Sequence, residues 1–391
     1  MHAPSDTRSS NHARRAVAAM FFANGFVVGS WAPQIPLLLT RLDISETVLG
    51  LLILLFGLGA LIAMPACGII MARTGSRPAL TGFGVATSVA LLLVALAPDA
   101  WMAAPAMIVF GGAVGGMDVA MNTNAVAVEK RLKRAIMSSS HGFWSLGGFA
   151  GGGLGGGAIL VFGHLAHAGL VTAATLAMVL TALPFVIADA AQDSPAEGTV
   201  PRGLPRRPAI YLIGLLALFC MLPEGAVLDW AALHLRQALG ADIATAGFAF
   251  ALFSGAMATM RFAGDAVRDR FGAVDTLRGS ALIAAGGMLA AALAPTPWLA
   301  IAAFAAAGFG IANTVPIAFS AAGAQPGISS STGMSVATTM GYSGILAAPS
   351  AIGFIGERTG FAPVFAGLAG LLLIVALMAP LASAADSARR V

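Results

Sequence analysis

The sequence predicts an all-α integral membrane protein of twelve transmembrane helices, arranged as two pseudo-symmetric six-helix bundles. Three observations carry that expectation. The first is composition: 58% of the 391 residues are hydrophobic and 10% are charged, where a soluble domain carries roughly 25% charge. Water is therefore not the main solvent of this chain. The second is a series of apolar segments of about 20 residues, the length that crosses a bilayer. The third is an internal repeat. Arg73-Thr74-Gly75 returns as Arg270-Phe271-Gly272, and Ala95-Leu96-Ala97-Pro98 with Trp101 returns as Ala292-Leu293-Ala294-Pro295 with Trp298. Gly111 returns as Gly308, and all three landmarks share an offset of 197 positions. Repeats of this kind, with apolar helices between them, build many secondary transporters, whose solute site lies at the interface of the repeats.

Taken in order, the spans are expected at 15–36, 46–71, 78–97, 101–128, 137–162, 167–188, 209–233, 243–264, 274–294, 297–320, 333–355 and 361–384. Residues 1–14 are polar and basic and lack a small-residue cleavage site, so they read as a cytoplasmic tail rather than a removed signal peptide. The first bundle then occupies 15–188 and the second 209–384. Between them, 189–208 is rich in proline and charge, as suits a cytoplasmic connector, and 385–391 is a second cytoplasmic tail. Loop charge orients the bundle. With the N-terminus inside, 18 of the 21 lysines and arginines fall on the cytoplasmic side, leaving Arg41, Arg236 and Arg358 outside. Both termini are then cytoplasmic in a bacterial inner membrane, and Trp101 and Trp298 open spans at the outer interface, where indoles anchor.

Other classes fall away. The basic excess is small and confined to loops, with no aromatic-interleaved stripe, so nucleic acid is not an expected partner. The two cysteines, Cys67 and Cys220, lie in apolar segments and read as packing residues. No H-E-x-x-H, paired-cysteine or G-x-S-x-G pattern is present, and neither a metal nor a cofactor is expected. Gly151, Gly153 and Gly156 match G-x-G-x-x-G, but no strand precedes them, so the run from Gly147 to Gly157 reads as a small-residue seam for close helix packing.

The segment Gly68–Arg77, GIIMARTGSR, resembles the loop signature between helices two and three of the major facilitator superfamily, and Gly264–Gly272, GDAVRDRFG, resembles it more fully. Further segments narrow the resemblance: Trp31-Ala32-Pro33-Gln34-Ile35-Pro36, Met117-Asp118-Val119-Ala120-Met121-Asn122, Ser138-Ser139-Ser140-His141 before Trp144, Glu224-Gly225 before Asp229-Trp230, and Asn313-Thr314-Val315-Pro316. Together these look like the YbjJ/MosC-type branch, related to the fucose permeases. The resemblance implies a monomeric carrier with one member of its branch associated with an inositol-like compound. It also implies sugar movement with a proton, using acids in helices one and four. The helix-four pattern, acid-x-Ala-x-Asn, is present at Asp118–Asn122. The helix-one acid is not, because Gly29 and Ser30 stand near its place.

An acid in the hydrocarbon layer costs about 2.5 to 3.5 kcal/mol on insertion scales, so such residues are functional candidates. Asp118 leads, and its counterpart at the 197 offset is Val315. Asn122, four residues on, shares its helical face. The plain alternative is a buried acid that bonds a neighbouring helix. Glu224 follows Pro223, expected to break its helix, and is either a second proton carrier or an outer-leaflet structural residue. His141, able to relay protons near neutral pH, lies three residues before Trp144, able to stack on a ring. Asn24, Trp31, Gln34, Asn313 and Tyr342 complete an uncharged set suited to a hydroxylated solute. Gly68, Arg73, Gly75 and Arg77 form one gating loop, and Arg261, Asp265, Asp269, Arg270 and Gly272 form the other. Asp269 is expected to favour a helix N-terminus and Arg261 to pair with Asp265, while the first loop has Ala72 in place of that acid.

The expectation is a carrier of a small polar solute, a sugar, polyol or inositol-like compound, working by proton-linked symport and alternating access. Its partners are the solute, protons and the lipid bilayer. Proton-driven efflux of amphipathic compounds is the alternative, though the glycine-proline signature typical of helix five in drug antiporters lacks its proline here. A non-transporting membrane sensor is a further one.

Overall fold

A computed structural model describes residues 5–132, 136–188, 208–326 and 330–387, and these are helical with no strand among them. The order is α1 (Ser5–Trp31), a 3-10 turn at Ala32–Gln34, α2 (Ile35–Arg41), α3 (Glu46–Thr74), α4 (Ser76–Leu96), α5 (Ala100–Leu132) and α6 (Met137–Ala182). It continues with α7 (Pro208–Leu239), α8 (Ile243–Ala292), α9 (Pro297–Ile311), α10 (Thr314–Gly323), α11 (Ser330–Thr359), α12 (Phe361–Met378) and α13 (Ala384–Ser387). Nine of the described helical segments are long and apolar enough to cross a membrane. One of these, Ser139–Phe185, holds two of the expected spans, joined at Gly163. The second arm of α8 and α11 hold the two expected spans that the nine do not include.

Two compact units divide the chain: Met1–Ile44 with Leu51–Gly198, and Ser45–Gly50 with Thr199–Val391. Each has its own apolar core. In the first, Val17, Met20 and Phe21 of α1 bury against Cys67 of α3, Leu80 of α4 and Met117 and Met121 of α5. In the second, Ile213 and Leu216 of α7 bury with Leu277 of α8, Ile317 of α10 and Val375 of α12. Outside these cores the helices display Ile62, Leu154, Val161, Leu293 and Leu377, all exposed. A surface so apolar requires lipid rather than water. Trp101 at the start of α5 is 88% exposed and Trp298 at the start of α9 is 59% exposed, as expected of interfacial anchors.

The repeat seen in the sequence extends to the backbone. Six described residues have positive φ, and they form three pairs at the 197 offset: Asp43 (50°) with Gly240 (67°), Gly75 (80°) with Gly272 (80°), and Gly163 (81°) with Gly360 (75°). In the last two pairs ψ lies between 164° and 173°, a region that only glycine occupies without strain. Each of these four glycines turns one membrane helix into the next with a single residue. Packing repeats as well. A Cβ on Gly111 would overlap the Phe56 carbonyl, and one on Gly308 would overlap the carbonyl of Phe253, the residue 197 positions beyond Phe56.

The glycine run of α6 has the expected role. A Cβ on Gly147 would strike the Phe22 carbonyl of α1, and one on Gly151 the Phe26 carbonyl. From the other side, Gly25 and Gly29 of α1 lie against the carbonyls of Trp144 and Gly148. Backbone-to-backbone approach along this seam fixes which residues of α1 and α6 face each other.

Two local expectations change. Pro223 does not break α7, which runs unbroken from Pro208 to Leu239, since neighbouring helices in a bilayer tolerate one lost backbone donor. The expected span 297–320 is instead interrupted at Ala312–Asn313, between α9 and α10.

Candidate substrate and coupling site

The α1–α6 seam sets the first polar cluster, which lies wholly in the first unit. Asn24, 1% exposed on α1, accepts a hydrogen bond from Trp144 Nε1 on α6 at 2.9 Å. Its own Nδ2 donates to the Val114 carbonyl of α5 at 3.2 Å. Val114 is one turn before Asp118, so the Asn24 amide lies one turn along α5 from that acid. Asn122 Nδ2 donates to Asp118 Oδ1 at 3.2 Å and to the Asp118 carbonyl at 2.9 Å. Both residues are partly buried. His141, one turn before Trp144, meets the edge of Phe21 with centroids 5.1 Å apart. Three helices thus gather an acid, two amides, an imidazole and an indole within apolar walls.

At the 197 offset these five positions hold Met221, Val315, Phe319, Thr338 and Gly341. The Asn24–Trp144 contact itself persists in the second unit as Met221 against Gly341. The geometry belongs to the fold, and the polarity belongs to the first unit alone.

A second cluster sits towards the far end of α1. Pro33 and Pro36 interrupt regular helix hydrogen bonding, and Gln34 in the intervening 3-10 turn donates from Nε2 to the His164 carbonyl at 2.9 Å. The same nitrogen lies 2.9 Å from Nδ1 of buried His167. Trp31, 3% exposed, packs edge-on to Phe110 with centroids 5.9 Å apart. The structure therefore separates Gln34 and Trp31 from the Asp118 cluster, giving Gln34 a histidine partner and Trp31 an apolar one. His167 was not singled out by sequence; its occurrence inside a span, at the start of the second arm of α6, was the available signal.

In the second unit Glu224 of α7 faces Arg261 of α8, with Oε2 and Nη2 3.5 Å apart. The expected Arg261–Asp265 pairing falls on a side chain outside the described residues. Asn313, at the α9–α10 break, places Oδ1 against Gly264, where a Cβ would overlap it. Its Nδ2 is buried without a hydrogen-bond partner among the described residues. The same approach occurs in the first unit with sizes exchanged: Cys67 Sγ lies 3.3 Å from the Gly116 carbonyl, and these residues stand 197 positions before Gly264 and Asn313. Tyr342 is half-buried on α11. Trp230 is fully buried and stacks on Phe361, centroids 5.2 Å apart.

The gating loops are placed as follows. Gly75 and Gly272 make their turns, Gly68 is partly buried, and Arg73, Arg77, Asp269 and Arg270 are exposed. Arg270 lies over the Phe271 ring at 5.5 Å. The helix N-terminus after Gly272 is capped by Asp386, whose Oδ1 accepts from Ala273 N at 2.7 Å. Arg268 joins the same corner, donating to Ser320 Oγ at 2.9 Å and to the Ala385 carbonyl at 3.2 Å. Sequence reasoning looked for that cap inside the loop and so missed Asp386; the signal was Asp189, 197 positions earlier, which lies outside the described residues.

Twofold-repeated helices with isolated polar groups inside apolar spans define a multi-pass membrane transporter. The Major Facilitator Superfamily model matches residues 17–324, and the chain belongs to that superfamily, as its loop motifs imply. It is 36% identical over 362 residues to an uncharacterised MFS-type transporter of Yersinia pestis, covering 92% of this chain and 93% of that protein. It is 30% identical over 393 residues to membrane protein MosC of Rhizobium meliloti, covering 96% and 94%. Among solved structures, the nucleoside transporter NupG has a TM-score of 0.70 at 15% identity, covering 94% of this chain and 98% of that one. Identity that low speaks to fold alone.

Proposed function

We propose that this chain is a proton-coupled symporter of a small polar solute, a sugar, polyol or inositol-like compound. It works by alternating access in a bacterial inner membrane, with both termini cytoplasmic. The observation that carries the reading is Asp118, bonded to Asn122 and one turn from the Asn24–Trp144 pair, in a unit whose repeat partner is apolar at four of these five positions. A carboxyl that the scaffold does not require, held by a neutral amide rather than a cation, can be protonated without leaving a bare charge behind. Asn24, Asn122 and Trp144 supply the neutral donors, acceptors and ring face that a hydroxylated solute uses. His141 stands one turn from Trp144, where an imidazole can pass the proton on.

The test is uptake into proteoliposomes under an imposed inward proton gradient, across hexoses, pentitols and inositols. Uptake of at least one should follow the gradient and collapse with an uncoupler, and Asp118→Asn should abolish accumulation while leaving downhill exchange. Gradient-independent accumulation, or full accumulation by Asp118→Asn, would overturn the reading.

A further inference from the structure

The Gln34 amide ties the joint between α1 and α2 to α6. Pro33 and Pro36 each lack the N–H that would continue a helix, and the backbone is 3-10 over Ala32–Gln34. Gln34 Nε2 lies 2.9 Å from the His164 carbonyl and 2.9 Å from His167 Nδ1. A carbonyl only accepts, so it fixes which end of the amide faces it. An amide nitrogen only donates, so His167 Nδ1 is the acceptor and the ring is neutral, with its proton on Nε2. That second nitrogen faces Gly155 of the first arm of α6, where an added Cβ would come within 3.1 Å of it. The imidazole is thus enclosed on both sides and is 2% exposed.

Protonation sets an N–H on Nδ1 against the N–H of Gln34, and the amide cannot turn its oxygen round without setting it against the His164 carbonyl. The surrounding groups offer no relief. His164 stands one turn before the ring, and Arg41 of α2 donates to the Val94 and Ala97 carbonyls of α4. Trp31 of α1 and Phe110 of α5 carry no charge, and no carboxylate bonds or pairs with the ring among the described residues. An imidazolium there is a buried charge without a partner. It is stable only where the ring reaches water, which requires the joint to part from α6. The fold does not need this polar closure. At the 197 offset Pro33, Gln34, His164 and His167 become Trp230, Ala231, Phe361 and Val364, and there Trp230 stacks on Phe361. The second unit closes the matching place with rings that do not titrate.

We propose that His167 is a proton-binding group in addition to Asp118, and that its protonation releases the Gln34 joint of α1 and α2 from α6. The inference rests on the topology proposed above, which sets this end of the first unit outside. It adds to the symport reading a latch that opens in the same outer acid that drives uptake. A proton that binds the released form better than the closed one shifts the population towards release.

The test needs neither solute nor gradient. Spin labels on Thr40→Cys and Leu165→Cys, both at exposed positions, span the joint, and the native Cys67 and Cys220 are buried. Pulsed dipolar distances are measured on the purified full-length protein in lipid nanodiscs from about pH 8 to about pH 5, either side of the ordinary imidazole value. With His167 intact, a longer-distance population should grow at least about threefold as pH falls through this range and shrink again on return. His167→Gln, whose side-chain oxygen accepts from Gln34 but takes no proton, should keep the short distance throughout. His167→Val, with the residue of the matching place in the second unit, serves if that variant fails to fold, and it too should show no step. His164→Gln, which keeps the backbone carbonyl, should retain the step. A distance independent of pH with His167 intact overturns the latch. So does a step that survives in His167→Gln or His167→Val, or one that His164→Gln abolishes. Any of these leaves symport to the uptake experiment above, while failed uptake beside an intact step removes the symport reading and leaves the latch.

Discussion

Asn24 uses both ends of its amide, donating to the Val114 carbonyl and accepting from the Trp144 indole, so α1, α5 and α6 are tied at one side chain. Interhelical hydrogen bonds inside a membrane contribute on the order of 1 kcal/mol, because the unfolded chain in lipid also finds partners. Trp144→Phe should therefore lower unfolding stability by about 1 kcal/mol, and Asn24→Ala combined with it should cost less than the sum of the two single changes. Thermal unfolding in detergent of the four members of that cycle checks the coupling, and strict additivity would show that the bond contributes nothing. At this scale the sequence was legible along a helix and illegible across helices. Asp118 and Asn122 are four residues apart, and they do bond. Asn24 with Trp144, Gln34 with His167 and Glu224 with Arg261 lie 120, 133 and 37 positions apart. Their meeting depends on helix rotation, which no local spacing encodes.

Helix ends were legible where a single residue makes the turn. Gly75 and Gly272 were readable as one motif because ψ near 170° at positive φ excludes every side chain. The α9–α10 break at Asn313 also has a local cause, Pro316, which offers no N–H to the Ala312 carbonyl four residues earlier and crowds it. But a proline inside an apolar span does not by itself decide between a break and a continuous helix, as Pro223 in unbroken α7 shows. Asp242 illustrates an end whose chemistry can be tested. Its carboxylate caps α8, accepting from the Thr245 backbone N–H at 2.9 Å and from Thr245 Oγ1 at 2.9 Å, and these bonds hold its pKa below the ordinary carboxylate value. A depressed folded-state pKa gives stability that is present above the unfolded value, about 3.9 for aspartate, and is lost as pH falls through the folded one. Amide exchange at Thr245 should accordingly be protected near pH 6 and speed up, beyond the intrinsic pH effect, below about pH 4. In Asp242→Ala that acid-dependent step should vanish. A step that persists in the variant would assign it to another group.

The two units each carry a separate apolar core, and the segment between the expected bundles is polar and rich in proline. If that segment only connects, residues 1–188 and 209–391 produced as two chains should assemble and restore uptake above one half alone. Uptake no greater than that of a single half would assign the connector a structural part. While the matching turns at Gly163 and Gly360 came from the backbone, the sequence by itself determined the membrane solvent, the twofold repeat, the turn glycines Gly75 and Gly272 and the identity of the unmatched acid Asp118. These follow from composition and from local backbone demands, which are written residue by residue. Tertiary structure alone decided which side chains meet: that Trp144 reaches Asn24 because glycines bring α1 and α6 into backbone contact, that Asp386 caps the turn at Gly272, and that Arg261 faces Glu224. Those pairings arise from how helices rotate and approach one another, and that is set by the summed packing of each unit rather than by any one stretch of chain.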